Sequence, residues 1–271
     1  METLVDSLVR TARDLWIKGW AERNAGNVSL RVEPDVAVDA GPREEPWRPI
    51  GAVLPNLAGE RFLFTGTGSF MRNIERDPER GIGLVEVDAA GESFRIAWGL
   101  TGGGLPTSEL MPHLCAHAAR MAVTGGADRA IIHTHPQNLI ALTYALDLDT
   151  TKLTRLLWEM HTECIVVFPM GCGFVRWRMP GGRELAEATA EVLGRRTMAI
   201  WQHHGIVAAG PDLEHAFGLI ETAEKAAEIY VKAAALGPVP HRLTTEQLTA
   251  LAANFGVEPD REILGPDPNG V

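Results

Sequence analysis

Ala130-Ile-Ile-His-Thr-His-Pro-Gln-Asn-Leu-Ile-Ala-Leu142 is the stretch that decides the fold. Its first half is a short apolar run that ends on two histidines, and reads as a buried strand over Ala130–His135. Its second half opens on Pro136-Gln-Asn138 and continues in helix formers, so a helix starts there. A strand that passes straight into a helix belongs to a layered α/β protein, in which each element buries its apolar side against the next layer.

The same mixture continues outward. Residues 3–23 carry Leu4, Leu8, Ala12, Leu15 and Gly19 at helical spacing until Asn24-Ala-Gly-Asn27 interrupts them. Val28, Leu30 and Val32 alternate with polar residues as a strand does, as do Phe94, Ile96 and Trp98. Phe62–Thr65, Ile165–Phe168 and Met198–Gln202 are read as further strands. Helices are expected from Ser108, over Arg183–Leu193, over Pro211–Leu236 with Gly237 past its end, and behind the capping-box pair Thr244 and Gln247. Pro34, Pro42, Pro46, Pro49 and Pro55 mark a long loop over 33–60, and Pro259, Pro266 and Pro268 a tail over 258–271 that is expected to fray. Neither a repeat nor an interdomain linker divides the chain. We therefore expect one α/β domain over 1–271, a three-layer α/β/α arrangement around a central mixed, mostly antiparallel sheet. Short turns between several strands disfavour a (β/α)8 barrel, and the helices disfavour a jelly roll.

With 271 residues, 45% of them hydrophobic and 22% charged, the chain can build a large core without a disulfide or metal staple. The formal charge of −10, from 25 basic and 35 acidic residues without a basic block, argues against a nucleic-acid partner. An anionic substrate would need a local site working against that field. Apolar runs end far short of the ~20 residues of a membrane span, and the start Met-Glu-Thr-Leu-Val-Asp lacks a signal peptide's basic and apolar regions. Cys115, Cys164 and Cys172 are odd in number and show no C-x-x-C spacing. No membrane partner and a reduced, cytoplasmic location are expected.

His133-Thr-His135 carries the chemistry. Strand side chains alternate with period two, so both imidazoles point to one face and can share a divalent metal. A third nitrogen is needed, and His203-His204-Gly205 ends another expected strand, where only one neighbour of the pair can face the same way. Three histidines leave a fourth position open, the catalytic arrangement for zinc. Taken one at a time, each histidine could equally be a buried or capping residue. Pro106-Thr-Ser-Glu109 opens a helix, where an acid favours the helix dipole; beside a metal the same carboxylate would be a base. Gly66-Thr-Gly-Ser69 lacks the third glycine of a dinucleotide loop and the lysine of a Walker loop, yet its backbone N–H groups and hydroxyls suit a phosphate.

In this order, Asn24-Ala-Gly-Asn27-Val-Ser29, Thr65-Gly-Thr-Gly-Ser69, Pro106-Thr-Ser-Glu109, His133-Thr-His135 and His203-His204-Gly205 resemble the motifs of the class II sugar-phosphate aldolases. Trp16–Asn24, Trp98-Gly-Leu-Thr101, Asn138–Tyr144, Trp158-Glu159, Thr162–Pro169 and Phe217–Lys225 extend the likeness over nearly the whole chain. The resemblance implies one zinc ion per subunit on His133, His135 and His204, with Glu109 as acid/base. It implies phosphate contacts from Gly26, Asn27, Thr67 and Ser108, and Asn24 near the reacting centre. It also implies a homotetramer in which Glu163 reaches a neighbouring subunit's site and handles the aldehyde oxygen. The implied activity is reversible cleavage of a small-molecule ketose 1-phosphate, L-rhamnulose 1-phosphate in the first place, to dihydroxyacetone phosphate and an aldehyde. His203 stands where the family would place an apolar or aromatic residue, and Gly102-Gly-Gly104 replaces a stiffer stretch. Alternatives are a related enzyme that cleaves another sugar phosphate, epimerises or dehydrates, and a metal-free scaffold on the same fold.

Overall fold

The computed structural model describes residues 2–33, 36 and 45–265. In chain order its elements are α1 (Glu2–Ile17), β1 (Asn27–Val32), β2 (Arg48–Pro49), β3 (Arg61–Thr65), α2 (Met71–Ile74), α3 (Pro78–Gly81), β4 (Ile82–Val87), β5 (Ser93–Gly99), α4 (Leu110–Thr124) and β6 (Ala130–Thr134). There follow α5 (Gln137–Ala145), α6 (Thr150–Met160), α7 (Glu163–Val167), β7 (Gly173–Val175), α8 (Arg183–Leu193), β8 (Met198–Trp201), β9 (Gly205–Gly210), α9 (Leu213–Leu236), α10 (Thr245–Phe255) and α11 (Arg261–Leu264). Among the described residues nine strands form one sheet in the order β2-β5-β4-β3-β1-β6-β9-β8-β7. Every pair is antiparallel except β7 with β8. The expected mixed, mostly antiparallel sheet is thus present.

Each face of the sheet carries its own apolar layer. Val28, Leu30 and Val32 of β1 and Ala130 and Ile132 of β6 pack with Leu8, Leu15, Leu139, Leu157 and Ile220 from α1, α5, α6 and α9. On the other face, Phe62 and Phe64 of β3 meet Leu110 and Leu114 of α4, while Ile131 and Trp201 meet Leu185 and Leu193 of α8. Each such fully buried side chain contributes roughly 1.5–3 kcal/mol. No helix among the described residues is long and apolar enough to cross a membrane.

Several expectations need correction. Ile165–Phe168 is not a strand: Glu163–Val167 forms α7, which buries Cys164 and Ile165 on one side. Tertiary burial overrides the β propensity of Ile-Val-Val. α1 ends at Ile17 and does not run on to residue 23, because Gly19 takes φ +75° and turns the chain. α9 starts at Leu213, with the Asp212 side chain accepting from the His215 N–H, so Pro211 precedes the cap. The tail does not fray from 258. α11 buries Ile263 and Leu264, and Arg196 pairs with Asp260 at 2.7 Å; residues 266–271 lie outside the described residues. Of the loop over 33–60, residues 34, 35 and 37–44 lie outside the described residues. Its second half is built into the fold: Arg48–Pro49 adds the edge strand β2, and Ile50 and Leu57 are buried against the α4 layer.

Candidate active site

β1 and β6 set the site through their register. Asn27 pairs with His133 and Ser29 with Ile131, so these four side chains share the face covered by α4. The β3 side is tied in when the Val28 N–H donates to Thr65 Oγ1 at 3.1 Å. The turn before α4 is then zipped to the end of β3. Thr67 N–H donates to Leu105 O at 2.9 Å and Thr107 N–H to Thr65 O at 3.0 Å. The Glu109 N–H donates to Thr107 Oγ1 at 3.2 Å. That sequence of contacts delivers Glu109, on the N-cap of α4, to the end of β6.

The three histidines meet there. Their ring centroids form a near-equilateral triangle, with 5.1 Å between His133 and His135, 4.7 Å between His133 and His204, and 5.2 Å between His135 and His204. One nitrogen from each lies within 4.8 Å of the others. The His133 Nδ1–H donates to Ile206 O at 3.0 Å, and the His135 Nδ1–H donates to Glu22 Oε1 at 2.9 Å. Those bonds leave both Nε2 atoms bare, and both are buried without a hydrogen-bond partner. A buried imidazole nitrogen with no partner costs on the order of 1–3 kcal/mol, which a metal ion would recover. The donor set therefore fits a divalent metal. Gly205 makes the close approach possible, since a Cβ there would stand 2.4 Å from Thr134 O and 2.9 Å from the His135 ring.

His203 is excluded from this cluster for a reason different from the expected one. Neither His203 nor His204 lies on a strand; both occupy the turn between β8 and β9, and His203 takes φ +62°. The turn sends His203 the other way. Its N–H donates to Thr143 Oγ1 at 3.0 Å, and its ring stacks on Tyr144 at 4.1 Å.

Glu109 lies beside the cluster, with Oε2 at 3.5 Å from His133 Nε2 and Oε1 at 3.9 Å from His204 Nε2. Burial raises its pKa, opposed by a hydrogen bond from Asn27 Nδ2 at 2.8 Å and by the charge of His135. A carboxyl so placed can both accept and return a proton. Burial holds His133 well below its ordinary value, helped by His204 and His135, and takes His204 down to about 4. Neutral imidazoles are the form that ligates metal.

The other expected residues are distributed around this centre. Asn24 is exposed in the turn before β1. Gly26 takes φ +74°, and a Cβ there would lie 3.1 Å from His133 O, so this turn packs directly on the metal strand. Thr67 and Ser108 are exposed at the two strands of the zipped turn. Thr67 opens a polar cavity of about 600 Å³ that also presents Gly68, Ser69, Arg76, Arg80 and Gly102. Glu163 is exposed at the first turn of α7, and no hydrogen bond or ion pair among the described residues links it to the histidines. Sequence reasoning missed Glu22 as a support, because it stands 113 residues from His135 along the chain.

The model of the class II aldolase and adducin N-terminal domain matches residues 6–231. The chain belongs to that family. It is 48% identical, over 94% of each chain, to the rhamnulose-1-phosphate aldolase of Pectobacterium carotovorum. It is 43% identical to that of Klebsiella pneumoniae, over 97% of this chain and 99% of the relative. Among solved structures, the sugar-phosphate aldolase from Thermotoga maritima is similar at 33% identity and a TM-score of 0.76, over 89% of this chain and 99% of that one. The family resemblance drawn from the motifs is borne out, and so is the fold class that it implied.

Proposed function

We propose that the chain catalyses reversible cleavage of L-rhamnulose 1-phosphate to dihydroxyacetone phosphate and L-lactaldehyde. In this reading it works in the cytoplasm as a homotetramer with one zinc ion per subunit. The observation that carries it is the pair of buried, unpartnered Nε2 atoms of His133 and His135, converging with His204 beside the Glu109 carboxyl. Likeness over nearly the full chain to proteins named rhamnulose-1-phosphate aldolase selects the substrate.

Aldol cleavage leaves an electron pair on the carbon beside a carbonyl, and that charge must move onto the carbonyl oxygen. A divalent cation held by His133, His135 and His204 supplies Lewis-acid stabilisation of that oxygen. The protein's own groups do the rest. A base at the aldehyde oxygen, the role given to Glu163, takes the C4 hydroxyl proton, the C3–C4 bond breaks with its electrons passing to C3, and the aldehyde leaves. Glu109 then returns a proton to C3, and in synthesis it removes that proton. Burial raises the Glu109 pKa, which favours the protonated form that returns the proton. Thr67, Ser108, Gly26 and Asn27 take the phosphate, with Asn24 near the reacting carbons. Arg76 and Arg80 in the adjoining cavity offset the chain's net charge of −10 locally. Glu163 serves the aldehyde oxygen of a neighbouring subunit's site.

The test is an assay of dihydroxyacetone phosphate released from L-rhamnulose 1-phosphate by the purified chain, before and after treatment with a chelator. Release that stops on chelation and returns with Zn²⁺ is expected. No release with any divalent metal sinks the reading, and faster release from L-fuculose 1-phosphate reassigns the substrate.

A further inference from the structure

From Glu109 a second set of buried polar side chains runs into the protein between the sheet and α4. Asn27 Nδ2 donates to Glu109 Oε2 at 2.8 Å, and Asn27 Oδ1 faces His113 Nε2. His113 Nδ1 lies 2.7 Å from Ser29 Oγ, which lies 2.8 Å from His117 Nε2. Asn27, Ser29, Glu109, His113 and His117 are all buried. Phe64 and Phe62 pack on the two rings at 5.8 and 4.7 Å, which locks them from the sheet side.

The direction of every bond follows from the first. Asn27 offers its Nδ2 to Glu109 Oε2, which accepts, and this turns Oδ1 toward His113. A carbonyl oxygen only accepts, so His113 carries its proton on Nε2. Burial keeps that ring neutral, which leaves Nδ1 to accept from the Ser29 hydroxyl. The Ser29 oxygen, having given its own hydrogen, accepts from His117 Nε2–H. The donors thus run in one direction, from His117 through Ser29, His113 and Asn27 to Glu109.

We infer that Ser29, His113 and His117 are positioning residues that fix the Asn27 amide and through it the Glu109 carboxylate during proton transfer. The inference rests on the proposed function and goes beyond it. With Oε2 held by this chain, Oε1 is the oxygen left to take and return the substrate proton. No other hydrogen bond among the described residues fixes the Glu109 carboxyl.

Solvent exchange of the C3 hydrogen of dihydroxyacetone phosphate isolates the proton transfer. In the metal-loaded enzyme, Ser29→Ala should slow exchange about tenfold, the worth of one directed hydrogen bond. Bound zinc should stay unchanged. The isotope effect on C3 deuteration should rise, which a general loosening of the core would not produce. His113→Gln keeps a donor and an acceptor, and should retain much more exchange than His113→Phe. Exchange in Ser29→Ala equal to that of the unaltered enzyme overturns the relay alone, as does a loss in Ser29→Ala with no change in isotope effect. Equal exchange in the Gln and Phe variants also overturns it. Unaltered, zinc-loaded enzyme that exchanges no C3 hydrogen overturns the aldolase reading and this role together.

Discussion

Two groups of histidines flank Glu109, and they obey opposite rules. His133 and His135 each tie Nδ1 to a protein acceptor and leave Nε2 buried and bare. His113 instead has both nitrogens partnered, by Asn27 and Ser29, and His117 meets the same Ser29. Both pairs have a spacing that metal sites use. What separates His133 and His135 from His113 is the number of ring nitrogens already partnered. A ring with one nitrogen fixed and one free presents a lone pair, whereas a ring with both satisfied has nothing left to offer.

That contrast is sharpest at the turn between β8 and β9, where adjacent histidines fall on either side of it. His204→Ala should lose nearly all bound metal and with it the cleavage activity, while His203→Ala, which removes only a stack on Tyr144 and the ring's Nδ1 contact with Thr143 Oγ1, should keep its metal. Elemental analysis of the two purified variants checks this, and the reverse ranking would break the assignment. Glu109→Gln comes next in size. It should retain metal and slow C3 exchange by about 10²–10⁴-fold, the usual weight of a general base; full exchange in this variant removes Glu109 from the role.

The inner histidines make a prediction of their own about acid. Burial pushes His113 down to about 3 and His117 well below its ordinary value. In the unfolded chain both titrate near ~6.5. Below that pH the unfolded state takes up protons that the folded state refuses, so stability is full above it and falls as the pH drops. Each ring contributes about 1.4 kcal/mol of loss per pH unit. Thermal melting followed from about pH 7 to about pH 5 should show a steadily falling Tm, and a flat profile would mean that these rings are not held neutral. The smallest effect is expected at Glu22, which orients His135 from an exposed position. Glu22→Ala should weaken metal affinity roughly 10–100-fold, the range for removing a ligand's supporting carboxylate. Competition with a metal-binding dye would measure it.

Much of this was legible in the chain because it depends on local periodicity. The alternation in Ala130–His135 put His133 and His135 on one face, and Thr244 and Gln247 marked a capping box that the structure contains. Strand alternation left open which of His203 and His204 faces His133, and the resemblance implied His204; in the structure His204 gathers with His133 and His135, and a tight turn, not a strand, separates the adjacent pair. Ile165–Phe168 misled because β-branched residues suit any buried surface, and a short helix against α9 and α10 offers one. Glu22 and the Ser29–His113–His117 chain left no trace, because their partners stand 84 to 113 residues away along the chain.

By itself, the amino-acid sequence determined the layered α/β class, the family, and the residue types able to hold a metal and move a proton. Those properties rest on side-chain period and on short motifs, which neighbouring residues encode. Only the tertiary structure decided which imidazole nitrogens stay free, which carboxylate oxygen is anchored, and which histidine of an adjacent pair turns inward. Each of these is a question of partnering between distant strands and helices, and partners are assigned by packing and register.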